Sequence, residues 1–424
     1  MTADVVVAGA GAAGLACAHA LGALGLRVLV LDRQRAPASI AKGEILQPET
    51  VRILDSWGAL DALRATGARP VGRLAIRDAH GEPLLCLDYA GLPGAYRQIL
   101  CADYGDLRAV LTDRLPAGVE VRWGVRVTGV RRDHDGRIDG VRVVADGAER
   151  DIEASLVVAA DGMSSPLRRA AGIGVERREY PHGLVAFDVD SAEVADEVSA
   201  YRTARGLCLV YPLPGGRCRL YVQVTPDEFR GRVDLDAWCG RLLAAVPAIS
   251  PLEPAVRASL HRRQLLAVYR LRSARLAAPG LALAGEAAHA VHPMAAQGVN
   301  SSLGDAETLA ACLAAEGGAP EPAAVDRALR AFEAARRPRL DHVATVSHNA
   351  SRMITAVSGL PKLLGARMMR RTAANPRLLG LTAGNLSGTD VRPLSAVDRL
   401  YQLGLLADRH AHTPSPPVPS ESER

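Results

Sequence analysis

The 424-residue sequence predicts an α/β protein: a parallel, nucleotide-binding unit, an interleaved mixed β-sheet and a helical C-terminal region. Three observations carry this. Near the N-terminus an apolar strand runs into a glycine loop and a helix. From about 181 to 274 apolar and polar positions alternate, and from about 315 to 407 the pattern is helical. With 48% hydrophobic and 23% charged residues the composition is globular, and the length suits two or three domains sharing an interface.

Val5–Ala8 is a short β-branched run followed by Gly9-Ala10-Gly11-Ala12-Ala13-Gly14. Ala12 to Leu24 reads as a helix and Arg27–Leu31 as a second strand, which makes a strand–helix–strand unit. Gly9 permits the tight turn, Gly11 lets the backbone approach a pyrophosphate, and Gly14 lets helix and sheet pack closely. The helix N-terminus favours the anion, and Asp32, closing the second strand, is placed to accept from a ribose hydroxyl. This unit alone does not separate NAD from FAD.

Residues 71–99 bring short strands with turn signals at Asp78–Gly81 and Gly91–Gly94. Asp106–Leu115 reads as a helix, and 119–160 as strands ending in Leu156–Ala160. Leu207–Leu213 and Arg217–Val224 flank Pro214-Gly215-Gly216, a hairpin signal, and Leu265–Leu271 offers another strand. Residues 281–315 return to strand, loop and helix. The Pro/Ser cluster of the last residues, 409–424, is expected to be disordered.

Several classes are excluded. The formal charge is +5, lysine occurs only at Lys42 and Lys362, and no block of five basic residues appears, so nucleic acid is not an expected partner. Seven scattered cysteines without CxxC spacing argue against a disulfide framework or structural zinc. The apolar stretch Val5–Leu31 is interrupted by Gly9, Gly11, Gly14, His19 and Arg27, and no membrane span is expected. A cytoplasmic location follows. His289 and His292 lie three apart, but no carboxylate or cysteine nearby completes a ligand set, so no metal is expected.

Two further motifs extend the nucleotide signal. Leu156–Arg168 reads LVVAADGMSSPLR, and Leu281–Asn300 reads LALAGEAAHAVHPMAAQGVN. With the glycine loop, these resemble the group A flavin monooxygenases, the para-hydroxybenzoate-hydroxylase-like family that includes ubiquinone-pathway hydroxylases. The resemblance spans about residues 1–345. It implies a Rossmann-like FAD-binding domain from 1–70, 100–180 and 276–340, and a substrate-binding sheet from 71–99 and 181–275. Residues 341–408 would form the C-terminal helical region.

It also implies roles for single residues. Gly9, Ala10, Gly11, Ala13 and Gly14 would hold the ADP pyrophosphate, with Asp32 and Arg33 at the adenosine ribose. Lys42 stands where the family usually has an arginine reaching the phosphates, and Arg108 near the ribityl chain. Asp161 and Gly162 would serve both FAD and NAD(P)H. Gly285 and Glu286 would contact ribityl and pyrophosphate, and Gly298, Val299 and Asn300 would run beside the flavin ring. Glu286 replaces the usual Asp, and Tyr104 stands where relatives often have Arg or Gln.

The implied chemistry is a monooxygenase cycle: FAD accepts a hydride from NADPH or NADH and reacts with O₂ to a peroxyflavin. The product is a hydroxylated or epoxidised hydrophobic aromatic, quinone, quinolone or polyketide-like ring. A reductase of the same fold, or a non-catalytic binding protein, are the alternatives. No catalytic side chain is assigned, and a monomer or homodimer is expected. Tyr211, Tyr221, Gln223, Tyr269 and Pro293 are candidate substrate contacts, although each strand residue could equally be an ordinary half-buried one. Met294, Met353, Met368 and Met369 are candidate apolar walls.

Overall fold

The computed structural model describes residues 2–36, 42–191 and 193–412. Thr2–Ala8, Ala12–Gly22 and Val28–Asp32 form the first strand–helix–strand unit. The Thr2–Ala8 strand pairs in parallel with Val28–Leu31 on one side and with Glu153–Ala159 on the other. Leu281–Leu283 adds beside the latter, again in parallel. Because both sheet faces are covered, these strands are almost wholly apolar. The three motifs therefore all follow neighbouring parallel strands, and their loops emerge together at the carboxyl edge of one sheet.

Local chemistry sets the helix ends. The helix expected to reach Leu24 stops at Gly22, a position packed directly against Val119, and Gly25 turns with φ +83°. The helix expected from Asp106 starts two residues earlier, at Tyr104, because the Asp103 carboxylate accepts from the Gly105 N–H at 2.9 Å.

A second eight-stranded sheet runs in the order 289–290, 264–273, 175–189, 217–224, 206–213, 198–203, 73–78 and 83–88. All its pairs are antiparallel except 198–203 with 73–78. The expected hairpin forms, with Tyr211 opposite Arg219 and Leu209 opposite Tyr221. Alternation splits its side chains. Leu184, Leu209, Tyr211 and Tyr221 face one core. Val185, Phe187, Val210, Leu220 and Val222 face another.

The reading of 181–274 as strands throughout needs correction here. Leu235–Ala245 and Glu253–Ser259 are helices, and they cover the second face with Trp238, Leu242 and Val256. With both faces covered, Gly206–Leu213 is buried at every position, which explains its unbroken apolar run.

Helices at Gly298–Ala315, Pro322–Thr355, Gly359–Ala373, Pro376–Ser387 and Ala396–Leu403 complete the chain. Ile354, Met369, Ala383 and Leu386 enter the same core as Leu184 and Tyr211, so the helical region closes the second sheet's cavity-facing side. Asp408 accepts from Asn375 and Arg377, and the Ala411 carbonyl from the Arg377 N–H, which fastens the chain to residue 411. The tail expected to be disordered lies outside the described residues from 413 onward. Among the described residues no helix is long and apolar enough to cross a membrane.

Candidate active site

A cavity of about 590 Å³ lies between the carboxyl edge of the parallel sheet and the second sheet. Gly9, Gly11, Ala13, Asp32, Arg33, Lys42, Arg108, Asp161, Gly162, Glu286, Gly298, Val299, Tyr211, Tyr221 and Pro293 all line it. Among the candidates, Ala10, Gly14, Gly285, Asn300, Gln223 and Tyr269 do not, and of the four methionines only Met294 does.

The three loop glycines do different work. Gly9 has φ +103°, and a Cβ there would lie 2.4 Å from the Ala160 carbonyl oxygen. A Cβ on Gly14 would lie 1.8 Å from the Gly9 oxygen. Gly11 differs: its nearest neighbour would be the Tyr104 hydroxyl at 3.7 Å, so its Cβ position opens onto the cavity. The Ala12–Gly22 and Gly298–Ala315 helices both start at the wall without a side-chain cap. Two helix N-termini without a cap from their own N-cap side chains attract an anion there.

Asp32 and Arg108 hold the loop from two sides. Asp32 Oδ2 accepts from the Ala10 N–H at 2.7 Å, and Arg108 Nε and Nη2 donate to the Ala10 carbonyl at 3.2 and 3.0 Å. Ala10 is thus the gripped peptide, turned away from the wall. Tyr104 accepts from the Ala12 N–H at 3.3 Å, and Lys42 Nζ lies 3.4 Å from both Glu286 oxygens.

Asp161 Oδ2 accepts from the Leu167 N–H, whereas Oδ1 is buried with no partner among the described residues. Burial pushes this carboxyl up from its ordinary range. Arg168 ties two motifs together, donating to the Ala287 carbonyl at 2.7 Å and to Met163 at 3.0 Å.

Gly285 acts through packing: its Cβ would sit 2.6 Å from that of Ala13. Its N–H donates to Asp305, which also meets His289 at 2.8 Å and Arg336 at 2.8 and 2.9 Å. Burial opposes this carboxylate, but His289 and Arg336 outweigh it and hold Asp305 below the usual range. Asn300, expected beside the flavin, braces the 45–47 segment. Its Oδ1 accepts from the Gln47 N–H at 2.8 Å, and its Nδ2 donates to the Ile45 and Ala296 carbonyls. The two helix starts, the Asp32 carboxylate and the orphaned Asp161 oxygen form a donor and acceptor set that fits FAD.

The far end is apolar, with Leu184, Leu207, Leu209, Leu266 and Met294 in its walls. One polar cluster closes it. Arg219 grips Glu44 with two hydrogen bonds, at 2.6 and 3.0 Å, and the Tyr211 hydroxyl donates to Glu44 at 2.7 Å. Burial works against the Arg219 cation, but Glu44 outweighs it and holds the guanidinium above its ordinary value. Burial, and then the Glu44 charge, push the Tyr211 hydroxyl up strongly. Tyr221 stacks on Tyr211 with ring centroids 6.3 Å apart and hydrogen-bonds it.

Neither Glu44 nor Arg219 stood out as a site residue in the sequence. The available signal was polar spacing: Arg219 shares the Tyr221 face of its strand, directly opposite Tyr211. Gln223 lies off the wall because its amide is used elsewhere, accepting from the Leu207 N–H and donating to the Thr355 carbonyl. Tyr269 lies off it too, under the Arg177 guanidinium at 3.9 Å.

His292 sits in the wall segment between Val291 and Pro293. Its Nδ1 accepts from the Met294 N–H, so its proton is on Nε2, 3.0 Å from His182 Nε2. Both imidazoles are buried and pushed down. Ala296, also in the wall, holds φ +50°, a conformation that costs an alanine about 1 kcal/mol.

The FAD binding domain family model matches residues 2–347. The chain is 31% identical over 417 residues to 3-amino-4-hydroxybenzoate 2-monooxygenase of Streptomyces cremeus, covering 92% of this chain and 98% of that one. It is 30% identical to 6-methylpretetramide 4-monooxygenase of Streptomyces rimosus, over 88% and 90% of the two chains. The structure of PqsL, a probable FAD-dependent monooxygenase from Pseudomonas aeruginosa, superposes with a TM-score of 0.74 at 28% identity, over 84% of this chain and 98% of that one. On these matches this chain belongs to the FAD-dependent aromatic monooxygenase family.

Proposed function

We propose that the protein uses NADPH or NADH and O₂ to hydroxylate or epoxidise a neutral, hydrophobic ring of the phenol, quinone, quinolone or polyketide class. The observation that carries this is one continuous cavity with polar backbone at one end and leucine walls at the other. Bound FAD supplies hydride acceptance and O₂ activation. The chain supplies position and dryness.

In this reading the helix starts at Ala12 and Gly298 face the pyrophosphate and the flavin edge, Asp32 and Arg33 the ribose, and Lys42 and Arg108 the phosphates and ribityl chain. Asp161, Gly162 and Glu286 accept from hydroxyls. The segments 1–70, 100–180 and 276–340 carry FAD, and 71–99 with 181–275 the substrate. The protein works in the cytoplasm as a monomer or homodimer.

The polar end narrows the substrate. Arg219 is neutralised by Glu44, and the Tyr211 proton is committed to the same carboxylate, so Tyr221 donates to Tyr211. What remains facing the cavity is acceptor oxygen, which suits a phenol O–H or an amine N–H and not a carboxylate. The relative named 6-methylpretetramide 4-monooxygenase supports the polycyclic ring class, and the one named for 3-amino-4-hydroxybenzoate shares the phenol and amine groups while carrying a carboxylate.

The test is anaerobic mixing of the yellow protein with NADPH or NADH, with and without quinolones, naphthoquinones and polycyclic phenols. One ligand class should accelerate flavin bleaching, and admitted oxygen should then appear in the product. Fast bleaching with every ligand, and a reduced product without added oxygen, would establish the reductase instead.

A further inference from the structure

We propose that the outer face of the Gly359–Ala373 helix, with the neighbouring 404–406 turn, is a docking surface for an anionic lipid bilayer. The sequence sets the charge. From His342 to Thr389 the chain has Arg352, Lys362, Arg367, Arg370, Arg371 and Arg377 and no Asp or Glu. The next acids downstream are engaged: Asp398 and Asp408 by Arg377, and Asp390 by Arg392. Of these cations Arg367, Arg370 and Arg371 are exposed on the helix itself.

The same face carries protruding apolar side chains. Leu360 is 65% exposed and Leu363 72%, and Leu405 and Leu406 are 65% and 51% exposed. Positions 360, 363, 367 and 371 follow helical spacing, so the two leucines and the two arginines form one stripe. The 404–406 turn adjoins it, since a Cβ on Gly404 would lie 3.1 Å from both Arg367 Nη2 and Arg371 Nε.

This face cannot turn inward, because the opposite one is locked. Gly365 abuts the Met353 backbone, where a Cβ would come within 2.7 Å of its oxygen. Met369 enters the core that holds Leu184, Leu209 and Tyr211. Arg202 donates to the Met353 carbonyl at 2.7 Å and also to the Lys362 carbonyl, tying the helix to the second sheet.

Leucine tips among long basic side chains complement a fluid surface of phosphate headgroups over hydrocarbon. A protein partner for this face would have to supply both the carboxylates and a shaped apolar seat. On its inner side the docking helix places Met369 in the core that also holds Leu184, Leu209 and Tyr211 of the cavity wall.

The test is co-sedimentation of the FAD-loaded protein with phosphatidylcholine vesicles and with mixed phosphatidylcholine–phosphatidylglycerol vesicles. The protein should pellet with the anionic vesicles alone and be released by salt. Leu360→Asp/Leu363→Asp should lower the partition coefficient at least about tenfold, with flavin absorbance and helicity unchanged. Arg370→Gln/Arg371→Gln keeps the leucines and should lower it by a comparable factor. Failure to pellet with either vesicle, or equal pelleting by both variants, would overturn the proposal. So would a dimer in light scattering that Leu360→Asp/Leu363→Asp splits, since a second copy would then cover this face.

Discussion

At the parallel sheet's edge the cavity wall is mostly backbone: a glycine turn, two helix starts and the peptide of Ala10, fixed by Asp32 and Arg108. At the far end it is side chain: Glu44, Arg219, Tyr211 and Tyr221 set among leucines. The first end tolerates almost no change at Gly9 and Gly14, where a Cβ strikes backbone. The second tolerates change only in pairs, because burying one charge requires the other. The cofactor end is therefore fixed by shape and the substrate end by matched chemistry.

The largest effect separates the two ends. Glu44→Ala leaves Arg219 buried with only Asp188, 3.9 Å away, as counter-charge and should cost about 3 kcal/mol in urea unfolding. Replacing Arg219 by Met in the same variant should recover most of that loss. No recovery would mean that the pair is not a closed unit.

At the cofactor end, Gly11→Val should fold normally, because among the described residues beyond its chain neighbours only the Tyr104 hydroxyl lies within 4 Å of the new Cβ. It should lose FAD affinity by at least about a hundredfold, near 3 kcal/mol, and purify colourless. Full flavinylation of that variant would displace the pyrophosphate from this loop.

The wall between the ends responds to pH. Burial, then His182 and His348, hold His292 at about 3, below its ordinary 6.5. The unfolded imidazole takes a proton below about 6.5 while the folded one stays neutral, so its contribution is complete above that pH and fades towards pH 3. At pH 5 the loss is about 2 kcal/mol, and His292→Gln should remove that part of the acid sensitivity between pH 7 and 5. Urea midpoints at the two pH values measure it.

The smallest effect sharpens the boundary of the substrate end. Tyr221→Phe should raise the substrate KM about fivefold, equivalent to about 1 kcal/mol. Gln223→Leu should leave KM unchanged and cost about 1 kcal/mol of stability, since its amide serves Leu207 and Thr355. A KM effect from Gln223 would place it back on the wall.

Legibility followed the same division. The glycine loop, Asp32, Asp161 and Glu286 were readable as cavity-lining positions because each lies at or within three residues of the carboxyl end of a parallel strand, where local geometry dictates residue type. Asn300 and Gln223 were readable as polar residues near the site but not as braces, since their partners lie at Gln47, Ile45 and Thr355. The helices at 235–245 and 253–259 were missed because a doubly covered sheet blurs the alternation that marks where strands stop.

Taken alone, the sequence determined the parallel nucleotide-binding unit, its three motif loops and the apolar character of the second sheet. Each of these is written in residues close together, where steric limits and hydrophobic period act locally. Only the tertiary structure decided that Glu44 neutralises Arg219 across 175 positions and that Arg168 joins two motif loops. It also decided that the leucines at 360 and 363 face outward. Such pairings depend on which surfaces meet once the sheets pack, and no local pattern of residues encodes that.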